Sequence, residues 1–312
     1  SFTDALEKWP EKIRTALEGE SPPKDQFEAF INAFFTGGFV VLVGKDFAGG
    51  KISIEFKPEG GSVSKNFFFL ESENKALVFE KISGQGVFAV SENDFVAPES
   101  KAEIARLHSS HDASTGFFYN QSILSKDADL VNGNAWVNGA MMRSNTYNNL
   151  SGKGGNLRQF DVLFLNQEQL FDLNNTAMHT ETDTQSNTVF RGVVAGKSKS
   201  VFDAMIKIVK GAQRSNAFLQ AHGMLLSRDS SSNNIPGLEI EADDVKASHS
   251  ASVAQVEEEQ VYYLQSRGIS RKEALKMVIN GFLESVLLNW DEALSEKVFI
   301  EIEEKTGKTE DA

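Results

Sequence analysis

A chain of 312 residues, 40% hydrophobic and 24% charged, has enough material for a large core and the balance of an ordinary globular protein. Its net charge of −13 argues against a nucleic-acid backbone as partner, because that contact is driven by lysine and arginine neutralising phosphates. The lack of cysteine excludes disulfides, a thiol nucleophile and thiolate metal ligation, and no apolar run approaches the ~18 residues of a membrane span.

The opening SFTDALEKWPEK carries acids and no apolar stretch, so no secretory signal is expected, with a leader removed beforehand as the alternative. Residues 1–45 read as helical. Phe27, Phe30, Ile31, Phe34 and Phe35 follow the spacing of one helix face, with Pro22 and Pro23 as breakers before it and Gly37 and Gly38 after it.

From residue 39 to 247 short runs alternate with a period of two, the strand signal. Phe202, Ala204, Ile206 and Ile208 point one way while Asp203, Met205 and Lys207 point the other. Leu238, Ile240 and Ala242 alternate with Glu239, Glu241 and Asp243. Polar turns follow Leu124, Leu150, Leu165, Ala195, Lys210 and Leu226, at intervals on the order of 15–30 residues that suit a solenoid. No crossover helix is visible between 115 and 247. Parallel strands need long crossovers, which a β-helix supplies by coiling. A β-sandwich fits the alternation equally well.

Residues 251–312 read as helical again. Ser252 and Gln255 have capping-box spacing, which predicts a helix from 252 through Tyr262–Leu264 to Gly268. Ser270 and Glu273 form a second box, opening a helix with Leu275, Val278, Ile279, Phe282, Leu283, Val286 and Leu287 on one stripe. A third helix is expected over 291–304. The division is then 1–45, 46–250 and 251–312, with part of the stripe facing a partner.

Sites of chemistry are sparse. The histidines are His108, His111, His179, His222 and His249; His108 and His111 form an H-x-x-H pair that reads as two polar loop residues, since no third ligand clusters beside them. Gly192-VVA-Gly196-Lys197-Ser198 has three residues between its glycines where a phosphate loop needs about four, and it leads into a strand. Gly38 with Gly44-Lys45-Asp46 lacks the Ser/Thr for magnesium. No G-x-S-x-G elbow occurs, and Glu239, Glu241, Asp243 and Asp244 read as a solvated face. The expectation is a protein that is not an enzyme.

One segment is more specific. Gly211-Ala212-Gln213, Leu225-Leu226-Ser227, Leu238-Glu239-Ile240, Ala242-Asp243-Asp244-Val245-Lys246, Ser248-His249, Glu258-Glu259, Tyr263-Leu264 and Ser266-Arg267-Gly268-Ile269 follow one another in order. With Phe190-Arg191-Gly192-Val193-Val194 and Gly196-Lys197 upstream, they resemble the SufB/SufD family, strongly over 180–290 and in style alone over the N-terminal third. The resemblance implies a right-handed parallel β-helix between N-terminal and C-terminal helical regions. It implies a scaffold subunit of the SUF iron–sulfur cluster assembly complex, cytoplasmic or within an organelle such as the plastid stroma. Pairing through the β-helix ends with SufB or a second copy is implied, as is docking of a SufC-type ABC ATPase on the C-terminal helices through Glu258, Glu259, Tyr263, Leu264, Arg267, Leu275 and Val278. Neither nucleic acid nor membrane is an expected partner.

Within that resemblance the histidine of the D-D-V-x-x-S-H block is His249. Ser250 stands where SufB has its glutamate, and Ala247 where SufD commonly has a cysteine. These place the chain nearer SufD and make His249 the expected cluster-assembly and interface residue, a metal ligand shared with the partner chain. A cluster is expected to pass transiently through the complex, with none held stably by this chain alone. The alternatives are a homodimeric SufBD-type scaffold acting without SufB, and a structural or carbohydrate-binding β-helix.

Overall fold

The computed structural model describes residues 1–18, 23, 25–44, 46–47 and 49–307; Pro22 and Lys45, named above, lie outside them. Three helices come first: α1 (Phe2–Lys8), α2 (Pro10–Glu18) and α3 (Gln26–Phe34). Eight strands follow: β1 (Val40–Val43), β2 (Lys51–Phe56), β3 (Val63–Leu70), β4 (Lys75–Ile82), β5 (Val87–Val96), β6 (Lys101–Ser109), β7 (Thr115–Leu124) and β8 (Asp129–Asn138). Then come β9 (Met141–Leu150), β10 (Asn156–Leu165), β11 (Leu170–His179), β12 (Gln185–Val194), β13 (Lys199–Ile208), β14 (Asn216–Leu225), β15 (Ser231–Ile240) and β16 (Lys246–Gln255). The chain ends in α4 (Glu258–Ser266), α5 (Arg271–Leu287) and α6 (Glu292–Gly307).

Odd-numbered strands form one eight-stranded sheet and even-numbered strands a second, each strand paired in parallel with the strand two further along the chain. The chain therefore coils, and the two sheets face each other across the interior. This resolves the open choice in favour of a parallel β-helix. A coil takes 26 residues between Glu80 and Arg106 and 31 between Asp183 and Arg214. One turn column holds Glu73, Glu99, Asp127, Gly154, Asp183 and Arg214, all with positive φ. Each donates its N–H to the next coil, as from Glu99 to the Lys126 carbonyl and from Asp127 to the Lys153 carbonyl.

Strand alternation sets what lies inside. Phe202, Ala204, Ile206 and Ile208 are buried, and Phe190 stacks on Phe202 across the interior at 4.0 Å. Earlier coils enclose polar groups instead. Arg106 donates to Asp94 at 2.7 Å and to Glu80 and Asn132 at 3.3 Å. Asn132 donates to Asn120 and Asn148, and Asn134 and Asn175 donate to Asp161. Buried polar groups persist when they are satisfied in this way.

The terminal helices cover the outer faces. Phe160, Val162, Phe164 and Val193 face outward from the even-numbered sheet and pack against Ile279, Leu283, Val286 and Leu287 of α5 and Leu294, Val298 and Ile302 of α6. Strand β10 is thus buried on both faces, which explains its run FDVLFL. Trp290 sits over Gly133, where an added Cβ would lie 2.5 Å from the indole. On the other sheet, Ile31 of α3 is buried with Val63, Ala89 and Tyr119.

Three local expectations are corrected. The 1–45 region is not helical throughout: α3 ends at Phe34, the strand texture read from residue 39 opens with β1 paired to β3, and Phe30 and Phe34 of the expected helix face are 51% and 60% exposed. Ser252 and Gln255 are not a capping box, because β16 continues through Gln255 in register with β14 and the next helix starts at Glu258 without a side-chain cap. His108 is not a loop residue; it lies buried in β6, stacked on Trp136 at 3.6 Å. Ser270 and Glu273 do form the capping box expected of them. Among the described residues no helix is long and apolar enough to cross a membrane.

Candidate functional site

The last coil is built differently from those beneath it. Strands β15 and β16 end their sheets, as β1 and β2 do at the opposite end, so each has one sheet neighbour and an outer row of backbone donors and acceptors with no strand beside it among the described residues. Such a row is a template on which a further strand can pair. Leu238, Ile240 and Val253 are exposed there. Pro236 removes a donor from β15, which leaves β16 (KASHSASVAQ) as the edge better suited to pairing.

His249 lies in the middle of β16, not at its end as the capping-box reading had placed it. Its register partner is Leu219 of β14, itself aligned with Thr188, Gln159 and Asn132 in earlier coils. Leu219, Thr188, Gln159 and Asn132 are all buried. His249 therefore continues an interior row, yet it is exposed, because no further coil covers it. Ala247 precedes it on the same inward face of β16, two residues away, and aligns with Ala217. Among the described residues no group of three or more His, Asp or Glu side chains is placed to hold a metal.

Helices α4 and α5 flank a second feature. A groove of about 930 Å³ runs between them and the outer face of β12, β14 and β16. Glu259, Tyr263, Leu264 and Val278 line it, so four of the seven residues assigned to docking come together. Glu258 accepts two hydrogen bonds from Arg271, at 2.8 and 2.9 Å, which hold its carboxyl below the ordinary value and tie α4 to α5. Arg267 donates to the Tyr263 hydroxyl at 3.0 Å and lies over its ring. Leu275 is apart from these: it is buried against the sheet and holds α5 in place instead of presenting a surface.

The floor of the groove carries residues that sequence reasoning did not assign to a site. Arg191, His222 and Ser252 occupy one row across β12, β14 and β16. His222 Nδ1 lies 2.5 Å from Ser252 Oγ, and burial with Arg191 nearby pulls its pKa below the ordinary value. Burial also pulls Arg191 down. The signal was their separation: Ser252 lies 30 residues after His222, one coil along the chain.

These features define a parallel β-solenoid with an open last coil and a helical appendage beside it. A family model for the SufBD core domain of the SUF iron–sulfur cluster assembly system matches residues 55–282. The chain belongs to the SufBD family. It is similar to the iron–sulfur cluster assembly protein SufD of Escherichia coli, with 28% identity over 208 residues, 66% of this chain and 49% of that protein. A SufBD family protein of Staphylococcus saprophyticus is 31% identical over 158 residues, 49% of this chain and 34% of its own length. One from Mycobacterium tuberculosis is 33% identical over 125 residues, 40% of this chain and 15% of its own. The match thus spans half or less of each of these relatives.

Proposed function

We propose that this protein is a scaffold subunit of an iron–sulfur cluster assembly complex, nearest in role to SufD and working in the cytoplasm. Strand β16 pairs with a SufB-type chain, and a SufC-type ATPase docks on α4 and α5. The observation that carries the reading is the uncovered last coil, where a family that assembles clusters leaves an interior row open at His249. A partner strand added to β16 satisfies its free backbone groups and covers Leu238, Ile240 and Val253.

His249 then lies in the covered junction. A neutral imidazole can accept a proton or hold iron through one nitrogen while the other is oriented by a neighbour. The cluster in this reading is cargo, and its thiolates come from the partner, since this chain has no cysteine. ATP hydrolysis belongs to the docked subunit.

The test is reconstitution of the complex from this chain, a SufB-type chain and a SufC-type ATPase of the same organism. The reading requires all three to co-elute and cluster formation to depend on this chain. Assembly of equal rate and yield by the other two alone contradicts it. A homodimer through β16 uses the same edge, and sedimentation of the chain by itself distinguishes the two pairings.

A further inference from the structure

Arg191 is left unexplained by the scaffold reading. It is half-buried, and its Nη1 is shut off from solvent with no hydrogen-bond partner. Among the described residues no carboxylate forms an ion pair with it, and its ring neighbour is Phe282, 5.4 Å away. A guanidinium withdrawn from water without a counter-charge is costly.

The residues beside Arg191 sharpen this. His222 and Ser252 extend its row along the groove floor. The carboxylates lining the groove, Glu257 and Glu259, belong to the start of α4, and Glu257 already accepts from Gln260. A forked cation, an imidazole and a hydroxyl in one row offer several donors to an oxyanion.

We infer that Arg191, with His222 and Ser252, receives a carboxylate side chain carried by the ATPase that docks on α4 and α5. This rests on the docking reading above and names its polar anchor. A free small anion fits the surroundings less well. Tyr262, Tyr263 and Met277 are 73%, 57% and 52% exposed on the same helices. A small ion would leave that apolar surface in water, whereas a protein surface covers it while delivering the carboxylate.

The experiment measures ATPase affinity for the full chain and for Arg191→Met and Arg191→Lys, at about 50 and about 300 mM salt. Arg191→Met is expected to weaken binding about 30-fold or more and to flatten its salt dependence. Arg191→Lys, which keeps the charge and loses the fork, should fall between. Thermal melts of the free variants establish that each is folded; if Arg191→Met is not, the Lys variant decides, and wild-type affinity in it overturns the inference. Equal binding by wild type and Arg191→Met overturns the inference alone. If the wild type fails to bind the ATPase, the docking reading itself falls and the inference with it. Saturable binding of inorganic phosphate to the free chain, lost in Arg191→Met while ATPase affinity is unchanged, would assign the row to a free anion and overturn it too.

Discussion

His249 stands directly beside Leu219 in the parallel ladder of β14 and β16, on the same inward row, yet Leu219 is 1% exposed and His249 lies open. The difference comes from position alone, because Leu219 has a coil above it and His249 has none. An interior position presented at the surface is available to a partner without unfolding anything.

His249→Ala should therefore leave the free chain almost unchanged. The His249 side chain makes no hydrogen bond among the described residues, and exposed substitutions of this kind usually stay within about 0.5 kcal/mol. Cluster assembly by the reconstituted complex should fall at least about tenfold, the scale of removing one positioned group. A melting temperature lowered by several degrees with assembly per folded complex unchanged would mean that His249 is structural.

Leu283→Ala tests the attachment of the helical appendage. Leu283 is fully buried between α5 and the outward face of the even-numbered sheet. The cavity should cost about 2–5 kcal/mol, read from urea unfolding of the full chain. A loss below about 1 kcal/mol would mean that α5 is not packed as described.

The polar interior makes stability depend on pH in two directions. Burial pushes Glu80 up to about 7 and Asp161 up to about 6. A carboxyl raised in the folded state contributes fully below its unfolded pKa, and that contribution is lost as pH rises through the folded value. Burial pushes His108 down to about 3 and His179 down to about 4. Their contribution is present above the unfolded value near 6.5 and is lost as pH falls toward those values. Glu80→Gln mimics the neutral acid. Its stability relative to wild type should improve between about pH 5 and about pH 8, by at least about 1 kcal/mol in denaturant unfolding. The same difference at both values would contradict the assignment.

The isolated chain should not retain an iron–sulfur cluster. Such clusters favour thiolates, and none is present here. Anaerobic reconstitution should give no chelator-resistant visible absorption; a stoichiometric, stable chromophore would contradict this.

Strand alternation in β13, where Phe202 to Ile208 point inward, made the strands legible, and Ser270 with Glu273 announced α5 correctly. The coil period was hidden because the turn column uses Glu73, Glu99, Asp127, Asp183 and Arg214 at positive φ, where glycine is the usual signal. Ser252 and Gln255 misled for a different reason. Their local capping chemistry is sound, but ten residues of ladder with β14 outweigh one cap, and Ser252 turns to His222 instead. The resemblance singled out His249 as a residue, but its place in an open interior row needed the register. Arg191 lies within a strand block in which nothing local distinguishes it from a surface arginine; its burial depends on α5, whose Phe282 ring lies beside it.

The central claim is most directly tested by purifying this protein, tagged and intact, from its native host and identifying what accompanies it. The account predicts an ABC-type ATPase together with a cysteine-bearing SufB-type chain or a second copy of this one. Recovery of the folded chain with no ATPase, at salt low enough to keep weak complexes, would contradict it.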